Sequence, residues 1–175
     1  LQAKKDPIEA LKVFELISKK SGPSIWKNFL IVLSQMLPRQ DPDFVKHASR
    51  AVELFPDDKE LFTLKKLAVV GEQQINQANA ISQLGLNYFN QKKYVEAGLE
   101  FEKALKIDKL EFAHFENAAS AFYMAGDYEK ALIYSDRVIN QFNPKTGKSE
   151  FINALAHLSI GGVPRACELL RQAID

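Results

Sequence analysis

Apolar residues along this chain recur three and four positions apart, the spacing that lines one face of a helix. Nowhere do they alternate with the two-residue period of a half-buried strand. Helix boundaries are well marked. Asp6-Pro7 and Asp41-Pro42 each place a capping carboxylate before a proline at the first helical position, where its missing N–H costs nothing. Pro164, after Gly161-Gly162, opens another helix, and Gly22-Pro23, Pro38, Pro56 and Asn143-Pro144 close or separate others. The pattern predicts helices at 7–20, 24–37, 41–55, 58–91, 94–107, 111–125, 128–141, 148–160 and 163–174. The fold class is all-α. The span 58–91 reads as one long helix, because Leu61, Leu64, Ala68, Gly71, Ile75, Ala78, Ile81 and Gly85 keep the same spacing throughout.

Links this short make consecutive helices antiparallel hairpins, and the hairpins repeat. Ala97 and Ala131 are 34 residues apart, and so are Tyr88 and Phe122, and Gly85 and Ala119. Gly126 to Gly161 and Ala131 to Ala166 are each a step of 35. A fixed period of this size is the mark of a stacked helical repeat. Within each unit two small residues lie 12 apart: Gly85 and Ala97, Ala119 and Ala131, Ala154 and Ala166. These pairs should face one another where the helices approach most closely, with Leu84, Tyr88, Phe101 and Phe122 filling the space beside them. A glycine inside a helix costs about 1 kcal/mol relative to alanine, so Gly85 implies that close approach offsets the loss.

These residues resemble the tetratricopeptide repeat (TPR) family. From position 78, Leu84, Gly85, Tyr88, Ala97, Phe101 and Ala104 match its pattern, with Ile81 for the usual Trp and Lys109 for the closing Pro. The next unit keeps Ala119, Phe122 and Ala131 but has Ser135 and Val138 where Phe and Ala are usual. The third keeps Ala154, Ala166, Leu170 and Ala173, while Asn153 and His157 fall at apolar positions. A one-residue shift would turn Phe151, Ala154, Leu155 and Leu158 inward instead. The resulting organisation is divergent TPR-like helices over 1–57, a connecting helix over 58–91 whose end is the first helix of the next repeat, and repeats over 78–175 (78–111, 112–146 and an incomplete 147–175). At 1–57 the small positions hold Val32 and Phe44, so that helix pair should cross more widely. The open ends suggest a segment of a longer array.

The resemblance implies a right-handed α-solenoid of antiparallel hairpins, whose first helices line a concave groove for a peptide or helix of another protein. Carried over, the groove positions are Asn79, Ser82, Leu86, Phe89 and Asn90, then Glu116, Asn117, Ser120, Tyr123 and Met124, with Lys148, Phe151 and Leu155 from the third unit. Phe89 and Tyr123 would be the anchors, and Asn90 and Asn117 would bond a ligand backbone. Core packing is the competing explanation for Leu86, Phe89 and Tyr123. The family's carboxylate clamp, which grips the C-terminus of a chaperone tail, is matched by Asn117 and Lys148 alone. Ser82, Leu86 and Ile152 stand where Lys, Asn and Arg belong, so chaperone-tail binding is not expected.

Composition narrows the chemistry. Across 175 residues, 23 Lys and Arg balance 22 Asp and Glu, which gives no electrostatic case for nucleic acid or an anionic membrane. No apolar run is long enough to span a bilayer. Cys167 is the single cysteine, so no disulfide framework or multi-cysteine metal site is encoded. It follows a small packing position and reads as a buried, inert thiol. It also favours the cytoplasm slightly over the periplasm, leaving the compartment open. His47, His114 and His157 lie in three helices without a ligand partner at helical spacing, and read as surface or half-buried residues. Gly147-Lys148-Ser149 ends like a phosphate-binding loop but lacks its first glycine and its strand. Asp41, Asp43, Asp57 and Asp58 serve helix starts. No nucleophile–base pair is present, so neither an enzyme nor a cofactor site is expected. Alternatives to a peptide-binding scaffold are an oligomerisation module and the recruitment arm of a larger enzyme. A third is an RNA-processing scaffold of the half-a-TPR kind, suggested by Trp26, Phe29 and the run from His47 to Pro56, against which the near-zero charge counts.

Overall fold

A computed structural model describes residues 13–14, 22–142 and 147–172. Nine helices occupy them, with no strand among the described residues: α1 Pro23–Met36, α2 Pro42–Leu54, α3 Lys59–Val69, α4 Glu72–Asn90, α5 Tyr94–Ile107, α6 Phe112–Met124, α7 Tyr128–Gln141, α8 Lys148–Ser159 and α9 Val163–Gln172. The helix predicted at 7–20 lies outside the described residues except for Val13 and Phe14, which are helical. The Asn143-Pro144 boundary and Ala173 also lie outside them.

The expected single helix over 58–91 is two helices. The chain breaks at Val70 and Gly71, and Gly71 has φ +92°, a left-handed conformation that a β-carbon disfavours. The sign of one substitution tests this. In an unbroken helix Gly71→Ala would stabilise by about 1 kcal/mol through propensity. At this φ it is expected to destabilise by about 1–2 kcal/mol, read from the urea midpoint.

The helices divide into two compact units, one ending at Glu72 and the other starting at Gln73. In the first, α1 and α2 pack together, as do α2 and α3, and α1 also touches α3. Asp41 accepts from the Asp43 N–H at 2.9 Å, and Asp58 accepts from Glu60 and Leu61, so both helix starts are capped as expected. Lys27 on α1 pairs with Asp58 at 3.0 Å and Glu60 at 2.9 Å. Trp26, Leu30, Leu33, Phe44, Ala48, Ala51, Leu61 and Ala68 form the core with Phe14. Phe14 stacks on Phe29 and meets Trp26 edge-on, at 3.5 and 4.7 Å between ring centres. His47 is buried against Phe29, so it is a core residue and not a surface or half-buried one. Phe44 takes the interior place expected of it, but Val32 is 52% exposed. Leu30 and Leu33 claim the inward face of α1, which turns Val32 to solvent.

In the second unit α5 packs on α6, α6 on α7, α7 on α8 and α8 on α9, and α6 touches α8 directly. The small positions are buried throughout: Gly85, Ala97, Ala119, Ala131, Ala154 and Ala166. What crowds Gly85 is the ring of Phe101, one turn beyond Ala97. A β-carbon on Gly85 would lie 2.8 Å from that ring, and one on Gly98 would lie 2.8 Å from the ring of Phe122. Phe101, Phe122 and half-buried Tyr88 fill the space as expected, whereas Leu84 is 43% exposed. Ala78, Ser82 and Gly85 define the inward face of α4, and Leu84 falls beside it.

Three helices of this unit end alike. The N–H groups of Lys93, Asp127 and Gly162 bond the carbonyls five residues back, of Tyr88, Phe122 and His157. The residue before each bond is left-handed: Lys92 (φ +61°), Gly126 (+82°) and Gly161 (+83°). This is the Schellman stop, recurring with the sequence period.

Candidate interaction groove

The first helices of three successive hairpins, α4, α6 and α8, bring together residues far apart in sequence. Leu86, Phe89 and Asn90 share one face of α4 at helical spacing. Asn117 and Ser120 do so on α6, and Lys148 opens α8. With Phe101 from α5 they line a cavity of about 320 Å³. Its walls are apolar at Leu86, Phe89 and Phe101 and polar at Asn90, Asn117 and Ser120. Among the described residues that line it, Lys148 is the charged one.

Six of the thirteen expected groove positions therefore share a cavity. Seven do not line it, exposed Asn79 among them. Ser82 and Glu116 are buried, Met124 is 48% exposed, and Tyr123 packs on Tyr128 at 5.7 Å between ring centres. Phe89 meets Tyr94 edge-on at 5.2 Å, 34 residues earlier. Leu86, Phe89 and Tyr123 are all half-buried against the core, so they hold the fold whatever else they do. Among the third unit's groove positions Phe151 is 51% exposed and Leu155 half-buried.

Beside the cavity lies a polar cluster that the sequence pattern does not reveal. Ser149 Oγ donates to Glu116 Oε1 at 3.3 Å, and Lys148 Nζ lies 3.7 Å from Glu116 Oε2 and 3.5 Å from Asn117 Oδ1. Glu116 sits at the first turn of α8, where the helix dipole favours a carboxylate. Its side chain is 8% exposed, while that of Lys148 is 46% exposed. Ser120 Oγ turns back to the Glu116 carbonyl at 2.7 Å. Ser149 and Phe101 are the contributors that spacing alone did not single out. Phe101 read as filler beside a helix contact, and the role of Ser149 depends on a residue 33 positions away.

The third unit keeps the regular register. Asn153 and Ala154 are buried, whereas Phe151 and Leu158 point outward, so the one-residue shift is not adopted. Ile152 is buried and could not reach a ligand from the clamp's arginine position. Cys167 is exposed, not buried: Ala166 occupies the inward position, and the next residue rotates about 100° away from it. His114 is buried in α6, and His157 is half-buried. Among the described residues no helix is long and apolar enough to cross a membrane. No family model matches the chain, and no curated protein matches it.

Proposed function

We propose that this chain is a TPR-type scaffold, a right-handed solenoid of hairpins that binds a segment of another protein in the groove of α4, α6 and α8 and does no chemistry itself. The observation that carries this reading is the cavity, to which α4 and α6 each contribute side chains at helical spacing and α8 contributes Lys148. The direct packing of α6 on α8 and the recurring helix stop support the repeat on which it depends. Half-buried Phe89 beside exposed Asn90 and half-buried Asn117 suits a segment that seats one side chain and bonds through its backbone.

The test is affinity capture from source-organism lysate with native bait beside an Asn90→Arg/Ser120→Arg variant. Both substitutions put a long charged side chain into the cavity at positions that are not fully buried, and circular dichroism should show unchanged helix content. A protein held by the native bait is expected to fall about tenfold or more with the variant, a loss of 1.4 kcal/mol or greater. Equal capture by both baits removes the groove from the reading.

A second reading, self-association, is favoured by Phe151, Leu158, Ile160 and Val163, all exposed on the last hairpin. Light scattering across a concentration series distinguishes it: a constant monomer mass dismisses it.

A further inference from the structure

We infer that the open face of α8 pairs with the same face of a second copy of this chain, the two helices antiparallel about a two-fold axis. This rests on the self-association reading above and gives it a surface and a geometry.

The face is set apart by what it lacks. From Phe151 to Pro164 the chain has no Asp, Glu, Lys or Arg, although such residues are 26% of the whole. Solvent-facing helix positions usually hold them. Here Phe151 and Leu158 are 51% and 41% exposed, with half-buried Leu155 between them in sequence. The three stand at i, i+4 and i+7 and form one stripe along α8. Ile160 and Val163, 54% and 52% exposed, follow at the turn into α9. Large apolar side chains in the open, with no charge among them, are the composition of an interface core.

The chain shows what kind of element lies over these positions. Thirty-five residues earlier they hold Glu116, Ser120 and Tyr123, and the first turn of α8 covers Glu116 through Ser149. Helix α8 lies directly on α6. On α8 the same positions turn apolar and stay open, so they fit a helix with an uncharged face. This chain carries such a helix in α8 itself. Turned end for end, one α8 sets its Phe151 against the partner's Leu158 and its Leu158 against the partner's Phe151, a large side chain opposite a smaller one at each end. The helix dipoles then oppose one another, where a parallel pair would align them. An uncharged face gives a foreign partner no ion pair to be selected by, whereas a copy fits by symmetry. A single helix face falls short of the ~800 Å² per partner of a standard interface, so the pairing is weak and concentration-dependent.

The test is sedimentation equilibrium of the 175-residue chain over a concentration series reaching about 1 mM. The mean mass is expected to climb from monomer toward dimer. Phe151→Glu and Leu158→Lys each bring a charge into the pair and should weaken it by about tenfold or more. Mixed in equal amounts, the two variants set the introduced acid against the introduced base, while the other end of the pair keeps its native residues. Dimer should then return to within about threefold of the native affinity. A parallel pair, which brings position 151 onto 151, could not be restored this way. Ile133→Glu puts a charge at a 62% exposed position on α7 and should leave the mass curve unchanged.

The failures are distinct. A constant monomer mass overturns the inference together with the self-association reading. A captured protein then lost with Phe151→Glu would show that another chain covers the face. A dimer indifferent to Phe151→Glu and Leu158→Lys, or weakened as much by Ile133→Glu, keeps self-association and discards this face. A dimer lost with each variant and not restored by mixing keeps the face and overturns the antiparallel geometry.

Discussion

Phe101→Ala is expected to destabilise the second unit by about 3–5 kcal/mol, the usual loss for emptying a buried phenylalanine site. Its ring is fully buried and lies against Gly85, so the cavity opens at the contact between α4 and α5. The informative partner substitution is Gly85→Ala. In the native background the added methyl would sit 2.8–3.1 Å from three ring atoms of Phe101. Overpacking of that kind costs about 1–3 kcal/mol, which outweighs the gain of about 1 kcal/mol in helix propensity. In the Phe101→Ala background the ring is gone and only the propensity gain remains. Gly85→Ala should therefore change sign, from destabilising to stabilising, with a coupling of about 1–3 kcal/mol. The readout is the urea midpoint at constant slope, followed by far-ultraviolet circular dichroism. Trp26, the single tryptophan, belongs to the first unit and would not report this contact. Additive effects would mean that the glycine is not there for the ring.

That contact shows what was legible in the sequence. Helical period, caps and the recurrence of small residues are local properties, so the helix ends and the buried places of Gly85, Ala97, Ala119 and Ala131 could be read directly. The residues of α4 and α6 that line the cavity were singled out by the family resemblance, and helical spacing explains only why 86, 89 and 90, like 117 and 120, share a face. Other features depend on what a neighbouring helix brings. The apolar spacing runs on through Gly71, so one backbone angle was invisible to it. Leu84 and Val32 belong to apolar patterns but lose their inward places to smaller or better-aligned neighbours. His47 became interior because Phe29 and Phe14 stack together beside it. Glu116 is buried because Ser149 and Lys148 reach it from the next hairpin.

Ser135 and Asn153 are the sharpest case. Each departs by itself from the tetratricopeptide pattern that the sequence resembles, yet together they are one fitted pair. The small Ser135 leaves room for Asn153, which is fully buried and whose Nδ2 donates to Ser135 Oγ and to Asp136 Oδ1, both at 2.8 Å. Among the described residues Asn153 Oδ1 has no hydrogen-bond partner, and the hydrogen bonds that hold the side chain come from the amide nitrogen. The Ser135 hydroxyl points its proton at the Ala131 carbonyl, 2.7 Å away, and can only accept from Asn153. The site thus presents lone pairs on two sides and needs two donors from one atom.

Asn153→Asp keeps the shape and removes both donors. It sets a second carboxylate against Asp136 in a buried place, and at neutral pH this should cost about 3–5 kcal/mol. Burial and the like charge both raise the folded-state pKa of the introduced carboxyl above its unfolded value of about 3.9. The folded variant then binds a proton that the unfolded chain has released, so its stability relative to native falls as pH rises between those values. On acidification toward about pH 4 the carboxyl is protonated, one donor returns, and most of the deficit should vanish. Asn153→Leu removes the same hydrogen bonds without a charge, and its deficit should not share that pH dependence. Paired urea titrations across the acid range would separate the two. An Asn153→Asp deficit that stays constant down to about pH 4 would mean that the two donors are not what this position supplies.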